Sequence, residues 1–559
     1  MQTSYDVEMR LDVKVPMSDG VSLSTDVYLP KASGKFPAVL MRTPYNNNLP
    51  QMIEKARRLA NNGYVCVMQD VRGRWDSEGD SYPFRDDGKD GHDTLEWIGR
   101  QEWSSGKVGM AGASYLGWVQ WQSAPYRSES LTCLAPRVMA GDLYTGLLYP
   151  GGAFQLNVAL SWGMRTTGRT AQSIDYHNWT EAFRGLPLIK MDELAGRELD
   201  FWKDWISHPT YDDYWDSMNT EKTWGEIAVP AFNMGGWYDL YAKQAFTNFN
   251  GLRKEGRTPE SRQSRLIVGA WPHALSASTR TGDIDFGANS MADLESMEMR
   301  WFDYWLKGID NGIVDEPPLR LFIMGSNEWR DEHEWPLART SWQKWYLHSE
   351  GEANTLVGDG TLSTEPPQQE QPDHYVYNPE YPVQTMGGNN CCSPQVVPWG
   401  PYDQRPVEMR TDVLCFTSAP LDEDMEVTGP INVVLYAATD GLDTDWTAKL
   451  VDVSPTGYAM NLCDGIIRAR YRESFTDPTL LESGKVYEYE IDLAVTGNVF
   501  LKGHSIRVDV SSSNFPRFDR NPNTGHAHGM DSEMRPAHQT VYHSSEYPSH
   551  ILLPIVPAR

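Results

Sequence analysis

A serine stands in a short, glycine-flanked segment that is typical of a catalytic nucleophile. Residues 112–117 read Gly-Ala-Ser-Tyr-Leu-Gly, with Ser114 at the turn between an apolar run at residues 108–111 and a helical pattern. Small residues let a chain turn sharply between a strand and a helix, which exposes the serine hydroxyl. Leu116 holds the second glycine position of the usual Gly-x-Ser-x-Gly pattern. Taken alone, the segment therefore fits a structural turn as well as a nucleophile.

A serine nucleophile needs a base and an acid that orients the base, and both follow it in the order Ser, Asp, His. Asp239 comes just after a predicted strand that ends at Met234, and His273 just after a predicted strand at residues 265–268. Because parallel strands end at the same edge of a sheet, the three side chains are expected to meet there. His273 would remove the proton of Ser114, while Asp239 holds the imidazole tautomer and stabilises its charged form.

A tetrahedral oxyanion needs hydrogen-bond donors, and the sequence supplies one of them by position. The backbone N–H of Tyr115 directly follows the candidate nucleophile. The second donor is expected in the loop that follows a predicted strand at residues 36–41. This loop reads Arg-Thr-Pro-Tyr-Asn and has no glycine-rich segment. Spacing alone leaves Tyr45 in that loop an ordinary loop aromatic.

The elements that must position these residues follow an α/β pattern. From about residue 24 to residue 160, short apolar runs alternate with helical patterns, which predicts a mostly parallel sheet. Strand signals stop between about residues 142 and 226, where helical stretches rich in Trp, Asp and Arg indicate an insertion. They resume at residues 229–234. An insertion at the carboxyl edge of a sheet is a natural lid over a site.

The second half of the chain has a different character. Residues 351–373 predict a loop or linker of low hydrophobicity, and β-rich segments separated by turn residues follow it. This pattern predicts an antiparallel sandwich or jelly roll. We therefore predict a catalytic domain at residues 1–143 and 226–342, a helical cap domain at residues 144–225, and a jelly-roll domain at residues 343–559.

Several motifs resemble a known family. The segments that carry the resemblance are residues 42–45, 69–73, 77–79, 112–117, 236–239, 271–273, 322–325, 328–330, 445–453 and 511–516. They are similar to the bacterial cocaine-esterase and X-Pro dipeptidyl-peptidase family of acyl hydrolases, over nearly the whole chain. The resemblance implies an α/β-hydrolase domain with an inserted helical cap and a C-terminal jelly roll.

The same resemblance implies roles for residues that spacing alone does not assign. It implies that the Tyr45 hydroxyl is the second oxyanion donor. Trp162, Leu240 and Tyr241 resemble positions that line the family's acyl pocket, although core packing explains each of them as well. Residues 387–392, Gly-Gly-Asn-Asn-Cys-Cys, represent the loop that faces the cap in this family.

Composition limits the classes of function. Across 559 residues, 49 Lys and Arg face 76 Asp and Glu, for a formal net charge of −27. Binding to nucleic acid or to an anionic membrane surface normally needs the opposite sign. The first residues lack the basic and apolar regions of an export signal, and no stretch approaches the roughly 18 apolar residues of a membrane span. These features predict a cytoplasmic location and no nucleic-acid or membrane partner. The candidate triad and the family resemblance predict a small-molecule ester as partner, with a homodimer as one candidate assembly.

Six cysteines are too few and too irregularly spaced for a disulfide framework or a Cys-x-x-Cys metal site. The prediction is free thiols in a reducing compartment. Cys391 and Cys392 are adjacent, which makes a disulfide between them sterically awkward.

These observations together predict a serine carboxylesterase that works through an acyl-enzyme and needs no metal or cofactor. One alternative is an amide-directed acylase, an α-amino acid ester hydrolase or an X-Pro dipeptidyl peptidase on the same triad. Another is a non-catalytic binding protein on a hydrolase scaffold. The α-amino acid ester hydrolase branch captures the substrate ammonium with an acidic cluster, for which Asp283, Asp285, Glu295 and Glu298 are candidates. Solvated acids on a helix face or loop are the simpler interpretation of these four.

Overall fold

The computed structural model describes residues 4–175 and 177–557, which form two large β-sheets with helices around the first. The outermost residues of the predicted domains, 1–3 and 558–559, and residue 176 lie outside the described residues. The strands of the first half are β1 (Val7–Pro16), β2 (Ser22–Pro30), β3 (Phe36–Thr43), β4 (Val65–Asp70), β5 (Ser104–Ala113), β6 (Leu131–Arg137), β7 (Phe232–Gly236), β8 (Arg265–Gly269), β9 (Arg280–Thr281), β10 (Ile284–Asp285), β11 (Leu319–Ile323) and β12 (Glu328–Glu332).

The first sheet has ten strands in the order β1-β2-β4-β3-β5-β6-β7-β8-β11-β12. The strands from β4 to β11 in this order run parallel, while β1, β2 and β12 are antiparallel additions at its two edges. Strands β4 and β8 are buried at every residue. Strands that are buried throughout and mainly apolar are typical of a parallel sheet with both faces covered, as the sequence pattern predicts. β9 and β10 form a separate small hairpin.

Helices connect most of these strands. The α-helices are α1 (Pro50–Asn61), α2 (Asp87–Gly99), α3 (Tyr115–Ser123), α4 (Leu156–Thr166), α5 (Trp179–Ala182), α6 (Met191–Leu194), α7 (Trp202–Ser207), α8 (Asp213–Asp216), α9 (Ala242–Glu255), α10 (Leu294–Lys307) and α11 (Arg405–Glu408). Short 3₁₀ or π helices cover Ala124–Tyr126, Tyr144–Leu148, Pro150–Gly152, Leu188–Lys190, Thr220–Glu226, Ser261–Gln263, Ala288–Ser290 and Ala469–Tyr471. Within the described ranges, no helix combines the length and apolar character needed to cross a membrane.

The segment between β6 and β7 carries the short helices α4 to α8. Its tryptophans Trp202, Trp205 and Trp215 are buried in the same apolar cluster as Trp118 of α3. Large aromatic rings dominate the burial energy of such a cluster. The segment therefore packs against the helices that cover the first sheet.

Helix α2 begins earlier than its sequence pattern predicts. The pattern indicates a helix from Asp93, but α2 starts at Asp87. The fully buried Arg42 of β3 donates a hydrogen bond of 2.7 Å to the Asp87 carbonyl, and the Tyr115 hydroxyl donates one of 2.7 Å to the Asp87 carboxylate. Local sequence misses this helix start because partners distant in the chain stabilise it.

The second half forms an eleven-stranded sheet. Its strands are β13 (Ser341–His348), β14 (Thr361–Ser363), β15 (Asp373–Tyr377), β16 (Leu414–Ser418), β17 (Met425–Thr439), β18 (Asp445–Val453), β19 (Ala459–Arg468), β20 (Tyr487–Phe500), β21 (Ser505–Ser511), β22 (Ala537–Tyr542) and β23 (His550–Val556). They run β15-β22-β17-β23-β13-β14-β16-β21-β18-β19, with β20 paired to β17. Nearly all pairings are antiparallel, as predicted, and β14 with β16 is a parallel exception.

The two halves share a core. Trp237, in the loop after β7, belongs to the apolar cluster that fills the second sheet. The Met324 and Val499 backbones also hydrogen-bond across the junction. The second sheet therefore supports a loop at the carboxyl edge of the first.

Candidate active site

Ser114 occupies a tight turn between β5 and α3. Its backbone has φ 59° and ψ −124°, a conformation that L-residues rarely adopt and that functional sites often contain. Gly112 makes this turn feasible, since it has φ 134° and a β-carbon there would lie 2.3 Å from Cβ of Leu116. The Ser114 hydroxyl forms no hydrogen bond within the described residues, so it is free to meet a substrate carbonyl.

Asp239 and His273 meet in the loops after the neighbouring strands β7 and β8. Oδ2 of the fully buried Asp239 lies 2.9 Å from Nδ1 of His273. The two loops are aligned by a backbone hydrogen bond from Tyr238 N–H to the Trp271 carbonyl. Gly236 permits this approach, because a β-carbon there would lie 2.2 Å from the Trp271 carbonyl oxygen. The pairing leaves Nε2 of His273 for a further partner.

His273 also adjoins the cavity at Ser114. Its ring lies 5.9 Å, centroid to centroid, from that of Tyr241, which lines the same cavity as Ser114. The His273 side chain is 14% exposed, so a proton or a substrate oxygen can reach it. The structure thus brings the predicted nucleophile, base and acid to one edge of the sheet.

Tyr45 lies in the loop after β3, with its hydroxyl available as a donor. The indole N–H of Trp162 donates to that hydroxyl oxygen at 3.1 Å. Because an indole N–H can only donate, the phenol proton of Tyr45 remains free for an oxyanion. The Tyr45 loop is anchored through the Pro44 carbonyl, which accepts hydrogen bonds from Arg74 and Trp75. Trp162 therefore orients the candidate oxyanion donor in addition to lining the cavity.

The backbone N–H of Tyr115 provides the other candidate donor. Tyr115 is the first residue of α3, where a helix has no carbonyl partner for its N–H groups. Its side chain points elsewhere: the hydroxyl bonds to Asp87, and the ring stacks on Phe84 at 4.8 Å. Burial raises the pKa of that phenol well above its usual value, so it stays protonated. The side chain thus holds the turn, and the backbone N–H is the group left as a candidate oxyanion donor.

Replacing Tyr45 with phenylalanine is expected to lower kcat by about 10²- to 10³-fold, because one oxyanion donor is lost while the ring is kept. KM should change little, since the bond forms mainly in the transition state. Steady-state kinetics on an acyl ester measures both constants. Tyr241→Phe is the matched control, because it removes a second phenol oxygen from the same cavity. Equal losses in both variants would contradict the role of Tyr45.

A mainly apolar cavity opens at Ser114. It is lined by Tyr45, Phe84, Ser114, Tyr115, Met139, Leu147, Leu148, Val158, Ala159, Trp162, Trp205, Tyr241 and Cys392. Of the three residues that family resemblance placed in the pocket, Trp162 and Tyr241 line this cavity. Leu240 is half-buried against the neighbouring apolar core instead.

Most residues of the cavity wall were not predicted from the sequence. Met139, Leu147 and Trp205 are apolar residues from separate segments, and each looks like a core residue in its local pattern. Only their position after the β6 strand, in or next to the predicted insertion, offered a signal. Cys392 comes from the second half of the chain, more than 270 residues after Ser114.

Comparison with known proteins identifies the family. Residues 19–275 match the X-Pro dipeptidyl-peptidase (S15 family) model, and residues 311–552 match the X-Pro dipeptidyl-peptidase C-terminal non-catalytic domain. The chain is also 39% identical to the cocaine esterase of Rhodococcus sp. (strain MB1 Bresler), over 98% of each chain. It belongs to the X-Pro dipeptidyl-peptidase (S15) family. The predicted resemblance is confirmed, and this S15 protein is a serine hydrolase.

Solved structures agree with this assignment. An aminopeptidase from the marine sediment archaeon Thaumarchaeota archaeon has a TM-score of 0.87 to the S15 hydrolase at 28% identity. An α-amino acid ester hydrolase has a TM-score of 0.85, also at 28% identity. In both cases 99% of this chain and 97% of the other are covered. The likeness therefore extends through the second sheet.

The four acids considered for an ammonium site do not line the cavity of the S15 hydrolase. Glu298 is buried, 2.5 Å from Arg137 and 2.8 Å from Lys55. Burial opposes its ionisation, but these two cations outweigh burial and lower its pKa. Glu295 pairs with Arg58 and Arg137. These two glutamates are structural partners of basic side chains.

The remaining two acids are also engaged away from the cavity. Asp283 accepts a hydrogen bond of 3.3 Å from the Tyr458 hydroxyl, and the exposed Asp285 at the end of β10 accepts one of 3.0 Å from the Gly287 N–H. These two residues therefore fit the simpler interpretation, that they are solvated acids and not part of an ammonium site.

The prediction of free thiols is wrong for two cysteines of the S15 hydrolase. Cys391 and Cys392 form a disulfide, with their Cα atoms 3.8 Å apart. Cys392 adopts φ 76°, and this left-handed turn lets adjacent sulfurs meet, which sequence spacing does not reveal. The other four cysteines, Cys66, Cys133, Cys415 and Cys463, are free, as predicted, and they are buried.

The loop at residues 387–392 is held firmly against the site. The Asn389 amide donates to the carbonyls of Trp237 and Asp239 at 2.7 and 3.0 Å. Arg165 of α4 donates to the Cys392 carbonyl at 3.1 Å. The second half of the S15 hydrolase thus contributes a wall of the cavity and supports the loop of the candidate acid.

Proposed function

We propose that this chain is a carboxylesterase that cleaves esters of uncharged acyl groups through Ser114, His273 and Asp239. The observation that carries the proposal is the chemistry of the cavity at Ser114. None of the described residues that line it bears a charged side chain. An apolar cavity with a few convergent polar groups suits a neutral substrate, because burying an unpaired ion costs several kcal/mol.

The proposed reaction has two halves. His273 Nε2 takes the proton of Ser114 as Oγ attacks the ester carbonyl, and the Tyr45 hydroxyl and Tyr115 N–H bind the resulting oxyanion. His273 then protonates the leaving alcohol, which leaves an acyl-enzyme on Ser114. In the second half, His273 removes a proton from water, the hydroxide attacks the acyl carbon, and Ser114 regains its proton as the acid departs.

The proposal includes three domains: an α/β-hydrolase domain, a cap and a jelly roll. The parallel sheet with Ser114 after β5, Asp239 after β7 and His273 after β8 supports an α/β-hydrolase domain at residues 1–143 and 226–342. The short helices between β6 and β7 support a cap at residues 144–225. The antiparallel second sheet supports a jelly roll at residues 343–559, although β13 already begins at Ser341.

The setting of the enzyme is part of the proposal as well. The net charge of −27 argues against a nucleic-acid partner, and the cavity at Ser114 supports a small-molecule partner. A cytoplasmic location and a homodimer complete the proposed description.

Three compounds test the substrate class. They are an N-acetylated α-amino acyl ester, the same ester with a free amine, and the matching amide. We expect the N-acetylated α-amino acyl ester to be cleaved with a kcat/KM about tenfold or more above that of the free-amine ester, because the cavity offers no carboxylate to an ammonium group. The matched amide should be cleaved more slowly still. Hydrolysis assays of the three compounds on the purified chain measure these ratios.

A higher kcat/KM for the free-amine ester than for the acetylated ester would favour a second candidate function, an amine-dependent hydrolase. The likeness to an aminopeptidase and to an α-amino acid ester hydrolase is the observation that supports an amine-dependent activity. A requirement for the free amine would contradict the plain esterase. Preference for the amide would indicate an acylase or peptidase on the same triad.

A further inference from the structure

Three metal-ligating groups meet beside the cavity at Ser114. A ring nitrogen of His273 and the sulfurs of Cys391 and Cys392 all lie within 4.8 Å of one another. Nδ1 of His273 faces Asp239, so Nε2 is the nitrogen left to bind a metal. A thiophilic cation such as Zn²⁺ takes sulfur and imidazole ligands at about 2.3 and 2.0 Å. Once the two sulfurs separate, the three groups are close enough to share one such ion.

The oxidised pair cannot serve as ligands, because each sulfur is bonded to the other. A dithiol reductant would change this. Exchange breaks the sulfur–sulfur bond, gives Cys391 and Cys392 one proton each, and oxidises the reductant to its own disulfide. Cys392 lines the cavity, so both the reductant and an ion have access from the substrate side.

We propose that reduction of the Cys391–Cys392 disulfide creates a site for a thiophilic divalent cation, with His273 as third ligand, and that occupancy of this site stops hydrolysis. Binding releases the two thiol protons, uses the lone pair of His273 Nε2, and leaves the fourth position of the ion to water. An imidazole whose lone pair is bound to a metal cannot take the proton of Ser114.

The surroundings are those of a supported metal site. A ligating histidine usually donates its second ring N–H to a carboxylate, and Asp239 already accepts from His273 in this way. The loop that carries the cysteines is anchored by Asn389 to the carbonyl of Asp239 itself. Ligands on anchored elements lose little freedom when an ion binds, which favours affinity.

Zinc titration of the full chain in two redox states tests the proposal. A phosphine, which takes up an oxygen from water as it reduces the disulfide, should be used with Zn²⁺ as the probe, because a dithiol would itself chelate the metal. The reduced chain is expected to bind one Zn²⁺ at this site. At ten times the dissociation constant, about one tenth of the activity should remain. The oxidised chain should keep its activity at the same zinc concentration.

Serine variants identify the ligands. Cys391→Ser and Cys392→Ser, each compared with its own zinc-free activity, should lose the inhibition that depends on reductant. Cys415→Ser removes a buried free thiol of β16 and should keep it. Equal zinc sensitivity of the oxidised and reduced chains, or full inhibition in both loop variants, would overturn the proposal.

The inhibitory part of this proposal rests on the proposed function, whereas the binding part does not. Calorimetry with Zn²⁺ on reduced Ser114→Ala separates them. Binding to a variant without activity supports both proposals. Absence of binding overturns the metal site and leaves the esterase intact. A variant that binds zinc and still hydrolyses esters overturns the role of Ser114 instead.

Discussion

The Ser114→Ala variant is expected to lose about 10⁶-fold in kcat for ester hydrolysis, because acyl transfer then has no nucleophile. Residual rate above that of water would come from the oxyanion donors and substrate binding alone. A panel of acyl esters of increasing chain length, run on both proteins, measures the loss. The same factor should apply across the panel, because the hydroxyl acts on every acyl group.

Folding should not explain this loss. The Ser114 hydroxyl has no hydrogen-bond partner among the described residues, so its removal should change the free energy of unfolding by no more than about 0.5 kcal/mol. Thermal denaturation checks this. Ser161→Ala is a matched control, since Ser161 lies on α4 beside the cavity-lining Trp162.

Labelling gives an independent readout for Ser114. A fluorophosphonate should modify the wild-type chain at Ser114 and leave Ser114→Ala unlabelled. An active alanine variant, or labelling at a different serine, would contradict the proposed nucleophile. A wild-type chain that resists labelling and cleaves no ester would support the non-catalytic alternative.

The Asp239→Asn variant is expected to lose about 10⁴-fold in kcat, with folding largely kept. The introduced side-chain amide would offer an N–H to Nδ1 of His273, which would place the imidazole proton on Nε2. In that tautomer Nε2 cannot accept the proton of Ser114. The side-chain oxygen that accepts from the Tyr241 N–H at 2.8 Å can be retained by asparagine.

Steady-state kinetics and a melting curve together measure the effect of this substitution. Asp285→Asn is the matched control, because Asp285 is an exposed residue of the small strand β10 and does not line the cavity. A loss of less than about tenfold in Asp239→Asn would mean that another group orients His273, since tautomer control accounts for most of the expected effect.

The candidate triad was predictable from sequence because each member follows a strand of a parallel sheet. Short apolar strands, the small residues around Ser114, and the order of Asp239 and His273 are all local signals. The carboxyl ends of parallel strands share an edge, so strand assignment alone predicts that these residues meet. The observed strand order β5-β6-β7-β8 agrees with this reasoning.

The role of Tyr45 could not be predicted from the local sequence. Spacing left it an ordinary loop aromatic, and only family resemblance proposed it as a donor. The structure adds the physical argument: Trp162 donates to its oxygen, which leaves the phenol proton free. That contact joins α4 to the loop after β3 across 117 residues, and no pattern in either segment specifies it.

The sequence by itself determined the parallel sheet and the positions at which catalytic groups could stand, because strand periodicity and glycine-rich turns are encoded by neighbouring residues. The resemblance of its motifs indicated the family. The tertiary structure alone decided the cavity wall, the pairing of Glu295 and Glu298 with basic side chains, and the Cys391–Cys392 disulfide beside His273. These features depend on how the folded chain brings its segments together. Burial and charge pairing select such contacts only when the whole chain has folded.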